Sequence, residues 1–175
     1  MDRNDKINNV DNSSNFDKNM LNNEKYIISY FSYNDKEVTN LKIQKLLYFL
    51  EAIYMVVRDE KSLFSEEFYA WNFGPVSNVV YEEYKGFGRT PIVLEEKVTI
   101  PKDNLKYIKI LFELFSDYTS YQLVALSHLP GSPWHDIYVK YGEDDIPNYE
   151  VIEKEKTKVW FRDNVVDIEE EDYDI

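Results

Sequence analysis

Few residues in this chain combine the type and spacing that chemistry needs. The two histidines, His128 and His135, are the first candidates as metal ligands. A catalytic zinc site wants three protein ligands. This pair lacks a helical i, i+4 spacing, and Pro130 and Gly131 lie between its members. A solvated or capping histidine near a helix end is the ordinary reading. Carboxylates are paired at Glu66-Glu67, Glu82-Glu83 and Glu95-Glu96. Two acids can share glycoside chemistry, but adjacent residues on a helix do not face one another. Each pair therefore reads as solvated surface. Ser127 stands beside His128 without a G-x-S-x-G elbow, and the chain has neither a glycine-rich phosphate loop nor a dinucleotide fingerprint. It has no Cys, which excludes disulfides, thiolate catalysis and Cys-ligated zinc. No enzyme is expected, and no cofactor or metal.

Binding is a better match to the composition. Aromatic residues make up 16% of the 175 residues, and they concentrate in Phe68 to Gly88, FYAWNFGPVSNVVYEEYKGFG. Each large aromatic buries on the order of 150–250 Å², so this stretch must lie against the chain's own core or against a partner. Trp71 and Trp134 read first as core. Trp71, Tyr81, Tyr84, Trp134 and Trp160 are also of the types that dominate binding hot spots.

The formal charge is −13. Seven acids and no base occupy residues 163–175, DNVVDIEEEDYDI, leaving about −6 on the rest. Phosphate backbones repel such a chain, so direct nucleic-acid binding is not expected. A basic protein is the better electrostatic match. The first residues, MDRNDKINNVDNSSNFDKN, have no apolar run and do not read as a secretory signal. The apolar stretch Leu46 to Val57 is interrupted by Glu51 and is too short for a membrane span. A cytoplasmic location is expected.

The elements that must carry these residues are mostly helical. Residues 1–22 are polar and read as a disordered leader. Glu24 to Tyr33 places Tyr26, Ile27, Tyr30 and Phe31 on one face of a first helix. Thr39 caps a second helix over about 40–58. From Leu46 this helix is apolar nearly all round, so it is the buried centre of a compact, mainly α domain. Its Gln44, Lys45 and Glu51 must then find partners or water. A short β element is expected near 67–73, and the stretch 91–100 reads as a loose hairpin or an extended crossing. Gly74-Pro75 reads as a strand-to-helix turn, with Pro75 in the first turn of the next helix and Gly86 ending it. Further helices follow from the apolar spacing over 102–115, the capping box Thr119-Ser120-Tyr121-Gln122 and the Ser132-Pro133 start. Residues 148–164 fit a strand by their β-branched content and a helix by spacing; the helix is taken. The acidic end, 163–175, reads as disordered.

Three motifs together carry a resemblance. They are Leu41-Lys42-Ile43-Gln44-Lys45-Leu46-Leu47-Tyr48-Phe49, then Ala70-Trp71-Asn72-Phe73-Gly74-Pro75-Val76 followed by Val80-Tyr81, then Leu126-Ser127-His128 with Ser132-Pro133-Trp134. In order and spacing they resemble the Panacea domain, the SocA-like (GepA-like) antitoxin domain of bacteria and prophages. The resemblance covers about residues 24–162, within an expected domain of 23–162. It implies a mainly helical fold with a small β element, a cognate toxin protein as partner, and neutralisation by direct contact. One member of the family is understood to deliver its toxin to a protease, so a proteolytic adapter that engages a protease or unfoldase is a rival reading. An inhibitor of a host defence protein, borne by a phage or mobile element and acting through an acidic DNA-like surface, is another. Gln44, Lys45, Tyr48, Trp71, Gly74, Pro75 and Trp134 are taken as the structural part of the motifs. Asn72, Asn78, Tyr81 and Glu82 are expected to face the partner, whereas Trp71→Ala is expected to lower stability first.

Overall fold

One helix is surrounded by nearly everything else. The computed structural model describes residues 10–11, 16–59 and 62–166. In chain order these form β1 (Val10–Asp11), α1 (Met20–Tyr33), α2 (Asn40–Arg58), β2 (Tyr69–Trp71), β3 (Gly74–Val76) and α3 (Asn78–Tyr84). A 3₁₀ turn at Lys85–Phe87 follows, then β4 (Ile100–Pro101), α4 (Lys102–Phe115), α5 (Ser120–Ser127), α6 (Pro133–Tyr141) and α7 (Lys154–Asn164). The fold is mostly helical, as expected, with two small strand pairs.

Helix α2 starts where the Thr39 hydroxyl accepts the Lys42 N–H, satisfying one of the free donors of the first turn. It contains neither Gly nor Pro and packs against α1, α3, α4, α5, α7 and β3. Ile43, Leu46, Leu47, Phe49, Ala52, Ile53 and Met55 are wholly buried. Its polar residues find partners. Glu51 accepts from the Ser62 hydroxyl and the Phe64 N–H, at 2.9 and 3.0 Å, and faces Lys154 at 3.4 Å. Tyr48 shares a 2.9 Å hydrogen bond with Thr157 of α7.

Several boundaries differ from the sequence reading. Helix α1 begins at Met20, capped by Asn19, so residues 16–22, assigned to the leader, are packed on the body. The Phe16 ring stacks on Tyr54 and meets Tyr107 edge-on. Asp17 accepts from Tyr26 at 2.6 Å, and the Asn104 amide donates to its carbonyl. Tyr54, Tyr107 and Asn104 lie far along the chain, and a local composition argument does not see them. Gly74-Pro75 is not a strand-to-helix turn. It belongs to β3, antiparallel to β2 with Trp71 opposite Gly74, Ala70 opposite Pro75 and Tyr69 opposite Val76. Proline is tolerated in so short an edge strand, and Gly74 takes the positive φ (+96°) after the tight turn. Ser77, not Pro75, starts α3, accepting the Val80 N–H. Gly86 lies inside the 3₁₀ turn, and the positive φ beyond it falls on Gly88.

The outer side of β2 is covered by the segment before α7. The Ala70 N–H donates to Glu150 and the Ile152 N–H to Phe68, at 2.9 and 2.8 Å. Residues 91–99 cross the surface without a strand. Ile92 is buried and its N–H donates to the Val38 carbonyl. Ile100–Pro101 pairs in parallel with Val10–Asp11. The capping box at Thr119 and Gln122 forms reciprocally, and Pro133 opens α6 behind the Ser132 cap. Residues 154–164 are helical, and Val165 and Val166 pack against the core, so this end of the acidic segment joins the body. Its remainder, 167–175, lies outside the described residues, as do 1–9 and 12–15.

Candidate partner-binding groove

Two neighbours on α2 hold the hairpin in place. Lys45 Nζ donates to the Pro75 carbonyl at 2.8 Å. Gln44 Oε1 accepts the Ser77 N–H at 2.9 Å, while its amide donates to Asn40 Oδ1 at 3.0 Å. The two side chains thus fix β3 on either side of Val76. The approach leaves no room at Gly74, where an added Cβ would stand 2.6 Å from Ser127 Oγ and 3.0 Å from Lys45 Cε. Below the hairpin, Trp134 is buried and stacks on the His128 ring, centroids 3.5 Å apart and nearly parallel. The Trp134 Nε1 donates to the Trp71 carbonyl at 2.7 Å.

Above this layer lies an open groove of about 440 Å³. Its floor comes from the start of α2, with Asn40, Leu41 and Gln44. Its walls come from the hairpin and α3, with Trp71, Asn72, Phe73, Val76 and Tyr81. Its rim comes from Gly88, Arg89, Tyr121, Ile146 and Asn148. Trp71 is half-buried rather than core. It meets Tyr81 edge-on at 5.0 Å and donates to the Asn148 carbonyl at 2.9 Å. Phe73 and Tyr121 are 58% and 63% exposed, a solvation cost that association would relieve.

Of the four residues expected to face a partner, the groove brings together Asn72 and Tyr81. Asn78 and Glu82 do not line it; they are exposed on α3, one helical turn from Tyr81 or beside it, and Glu82 pairs with Lys85. Sequence reasoning missed Phe73, Arg89, Tyr121, Ile146 and Asn148. They come from the hairpin turn, the loop after α3, the first turn of α5 and the loop before α7, and no spacing rule connects them.

Burial shifts three titratable groups near or below this site. It pulls Lys45 down to about 7, since no carboxylate offsets the cost of enclosing its charge. It lowers His128 to about 4, with Lys45 and His135 adding to the effect; the buried Nε2 has no hydrogen-bond partner among the described residues. Glu24, beneath α3, is pushed up to about 8 by burial, against the opposing effect of the Tyr84 hydroxyl, which lies 2.9 Å from both carboxylate oxygens.

The signs of these shifts predict a pH profile. Between about 4.5 and 8 the folded chain holds a proton on Glu24 that the unfolded chain has lost, so this contribution is present below 4.5 and fades as pH rises through 8. Between about 7 and 10.5 the unfolded chain holds a proton that folded Lys45 has released, so stability rises with pH across that window. His128 acts lower, losing its contribution as pH falls through about 4. Urea midpoints followed from pH 6.5 to 9.5 should fall to about pH 7, stay level to about pH 8 where the two opposite slopes cancel, and rise above it. Glu24→Gln should remove the fall and Lys45→Met the recovery.

No helix of the described residues is long and apolar enough to cross a membrane. No group of three His, Asp or Glu among them is placed to hold a metal ion.

The family model for the Antitoxin SocA-like, Panacea domain matches residues 43–135, just over half of the chain. This protein belongs to the SocA-like Panacea family. The matched stretch runs from the start of the α2 core to His135, and so contains the Gln44–Lys45 clamp, the whole hairpin, Tyr81, Arg89 and Tyr121. Antitoxin SocA of Caulobacter vibrioides (strain NA1000 / CB15N) is 33% identical over 116 residues. That alignment spans 57% of this chain and 60% of the relative's length. No solved structure matches.

Proposed function

We propose that this chain is a protein-binding module that neutralises a cognate toxin by direct contact, and that the groove is the contact site. The observation that carries this reading is where the exposed aromatics lie. Phe73 and Tyr121 stand at an open groove built mainly from the family-matched stretch, and the hairpin wall is clamped to the core helix beneath it. A rigid wall lowers the ordering cost of association, and aromatic anchors supply most of the energy of such interfaces. Asn72 and Tyr81 contribute from within the groove. Asn78 and Glu82 extend the same face of α3, because i, i+3 and i+4 positions neighbour one another.

The rival reading as an acidic DNA mimic loses support from the body surface. Its acids are interleaved with lysines in ion pairs: Lys25 with Glu96, Lys36 with Asp117, Lys156 with Glu153 and Lys158 with Asp59. The adapter reading rests on the acidic end, 163–175, of which 167–175 lie outside the described residues.

The test is co-expression with the product of the adjacent gene. Phe73→Ser should weaken that complex at least about tenfold, as loss of a hot-spot anchor does, and abolish rescue of growth. The urea midpoint should stay unchanged, since Phe73 is exposed. Unaltered binding would count against the groove.

A further inference from the structure

We propose that the groove takes a short apolar or aromatic segment of the partner that carries a carboxylate side chain, and that this carboxylate meets Arg89. The proposal rests on the groove being the partner site. The chain has 33 acids against 20 basic residues, yet among the described residues no Asp or Glu lines the groove, and its one charged side chain is Arg89. Arg89 is exposed. Among the described residues it makes no ion pair, whereas Lys25, Lys36, Lys85 and Lys156 are each matched with an acid. The lining therefore reverses the sign of the protein as a whole.

That reversal selects the occupant. A cationic segment finds no acid in the groove to pair with. A wholly apolar segment covers the Arg89 guanidinium and leaves it unpaired, which costs more than it returns. A carboxylate fits the planar fork through two parallel hydrogen bonds. The rings of Trp71, Phe73, Tyr81 and Tyr121 receive the apolar part and exclude water from the charge pair, so the pair is worth more than one open to solvent. The volume lies within the range of sites that enclose a small ligand or a few side chains. The Asn72 amide, at the turn of the hairpin, can hydrogen-bond the segment's backbone.

The complex with the adjacent gene's product, full-length on both sides, is the system for the test. Arg89→Glu should raise Kd at least about tenfold with no change in urea midpoint, and Arg89→Lys should recover part of the loss. Hydrogen exchange on the partner should show protection of an acid-bearing segment. Replacing that acid by Lys should restore binding to the Arg89→Glu variant. If Phe73→Ser weakens the complex and Arg89→Glu does not, the groove is the site but the proposed chemistry is wrong. If neither matters, the groove reading itself falls. Residues 167–175 of this chain share the proposed chemistry, with Ile168 and Tyr173 among acids. If removing them tightens binding, and a synthetic peptide of those residues competes with the partner, the chain's own acidic segment is the occupant and the proposal is overturned.

Discussion

Trp134→Ala should destabilise the fold by about 3–5 kcal/mol, the range for truncating a buried aromatic. Three contacts converge on this side chain. Its ring is only 5% exposed. Its face stacks on His128 at 3.5 Å, and its Nε1 donates to the Trp71 carbonyl at 2.7 Å. Truncation leaves a cavity, removes the face that shields His128 and frees a carbonyl at the end of β2. A domain of ordinary stability has about 5–15 kcal/mol in hand, so the loss is a large part of the total. Urea denaturation followed by far-UV circular dichroism measures it. Trp71→Ala should cost less, because Trp71 is half-buried on the groove wall, and should instead weaken partner binding. A smaller loss for Trp134→Ala than for Trp71→Ala would contradict this assignment of core and surface.

Gly74→Ala is the second substitution with a large expected effect, on the order of 2–5 kcal/mol. Two independent costs add. A side chain at φ +96° is strained, by about 1–3 kcal/mol. The new Cβ also collides with Ser127 Oγ and Lys45 Cε, and overpacking a tight site costs a similar amount. The Ser127 hydroxyl cannot yield freely, because it donates to the Val124 carbonyl at 2.8 Å. The hairpin should lift from α2, the Lys45–Pro75 hydrogen bond should break, and the groove wall should move with it. Amide hydrogen exchange in β2 and β3 should accelerate in this variant. A companion Gly131→Ala variant separates backbone strain from crowding, since Gly131 has positive φ but nothing within 4 Å of an added Cβ. It should cost only the strain.

What could be read in the sequence was local. The all-round apolar pattern of α2, the Thr119–Gln122 capping box and the Ser132-Pro133 start each depend on residues within one helical turn, and each is present in the structure. The recruitment of Phe16 and Asp17 depends on Tyr54, Tyr107 and Asn104, which no window around residue 16 contains. Gly74-Pro75 carries the composition of a turn, and only its pairing with Ala70 and Trp71 makes it a strand. The groove is the extreme case. Its floor, walls and rim come from five separated segments, so its aromatic and amide lining appears only once α2 has gathered them. Asn72 and Tyr81, which line the groove, could be named beforehand because they lie in the aromatic stretch, while Arg89 and Tyr121 carried no local signal. The partners of Lys45 and Gln44 were equally hidden, although burial of α2 required that they exist.

The pairing of Tyr48 with Thr157, and the packing of Phe161 on Phe49, set the order in which this protein can become itself during synthesis. The central helix leaves the ribosome about a hundred residues before the helix that closes its far side. At typical elongation rates the interval between residues 58 and 164 is roughly 5–20 s. Throughout it, an apolar helix waits with one flank uncovered, open to chaperones and proteases. A chain interrupted before residue 154 never acquires this cover, so copies that stop short of α7 do not reach the protected native state.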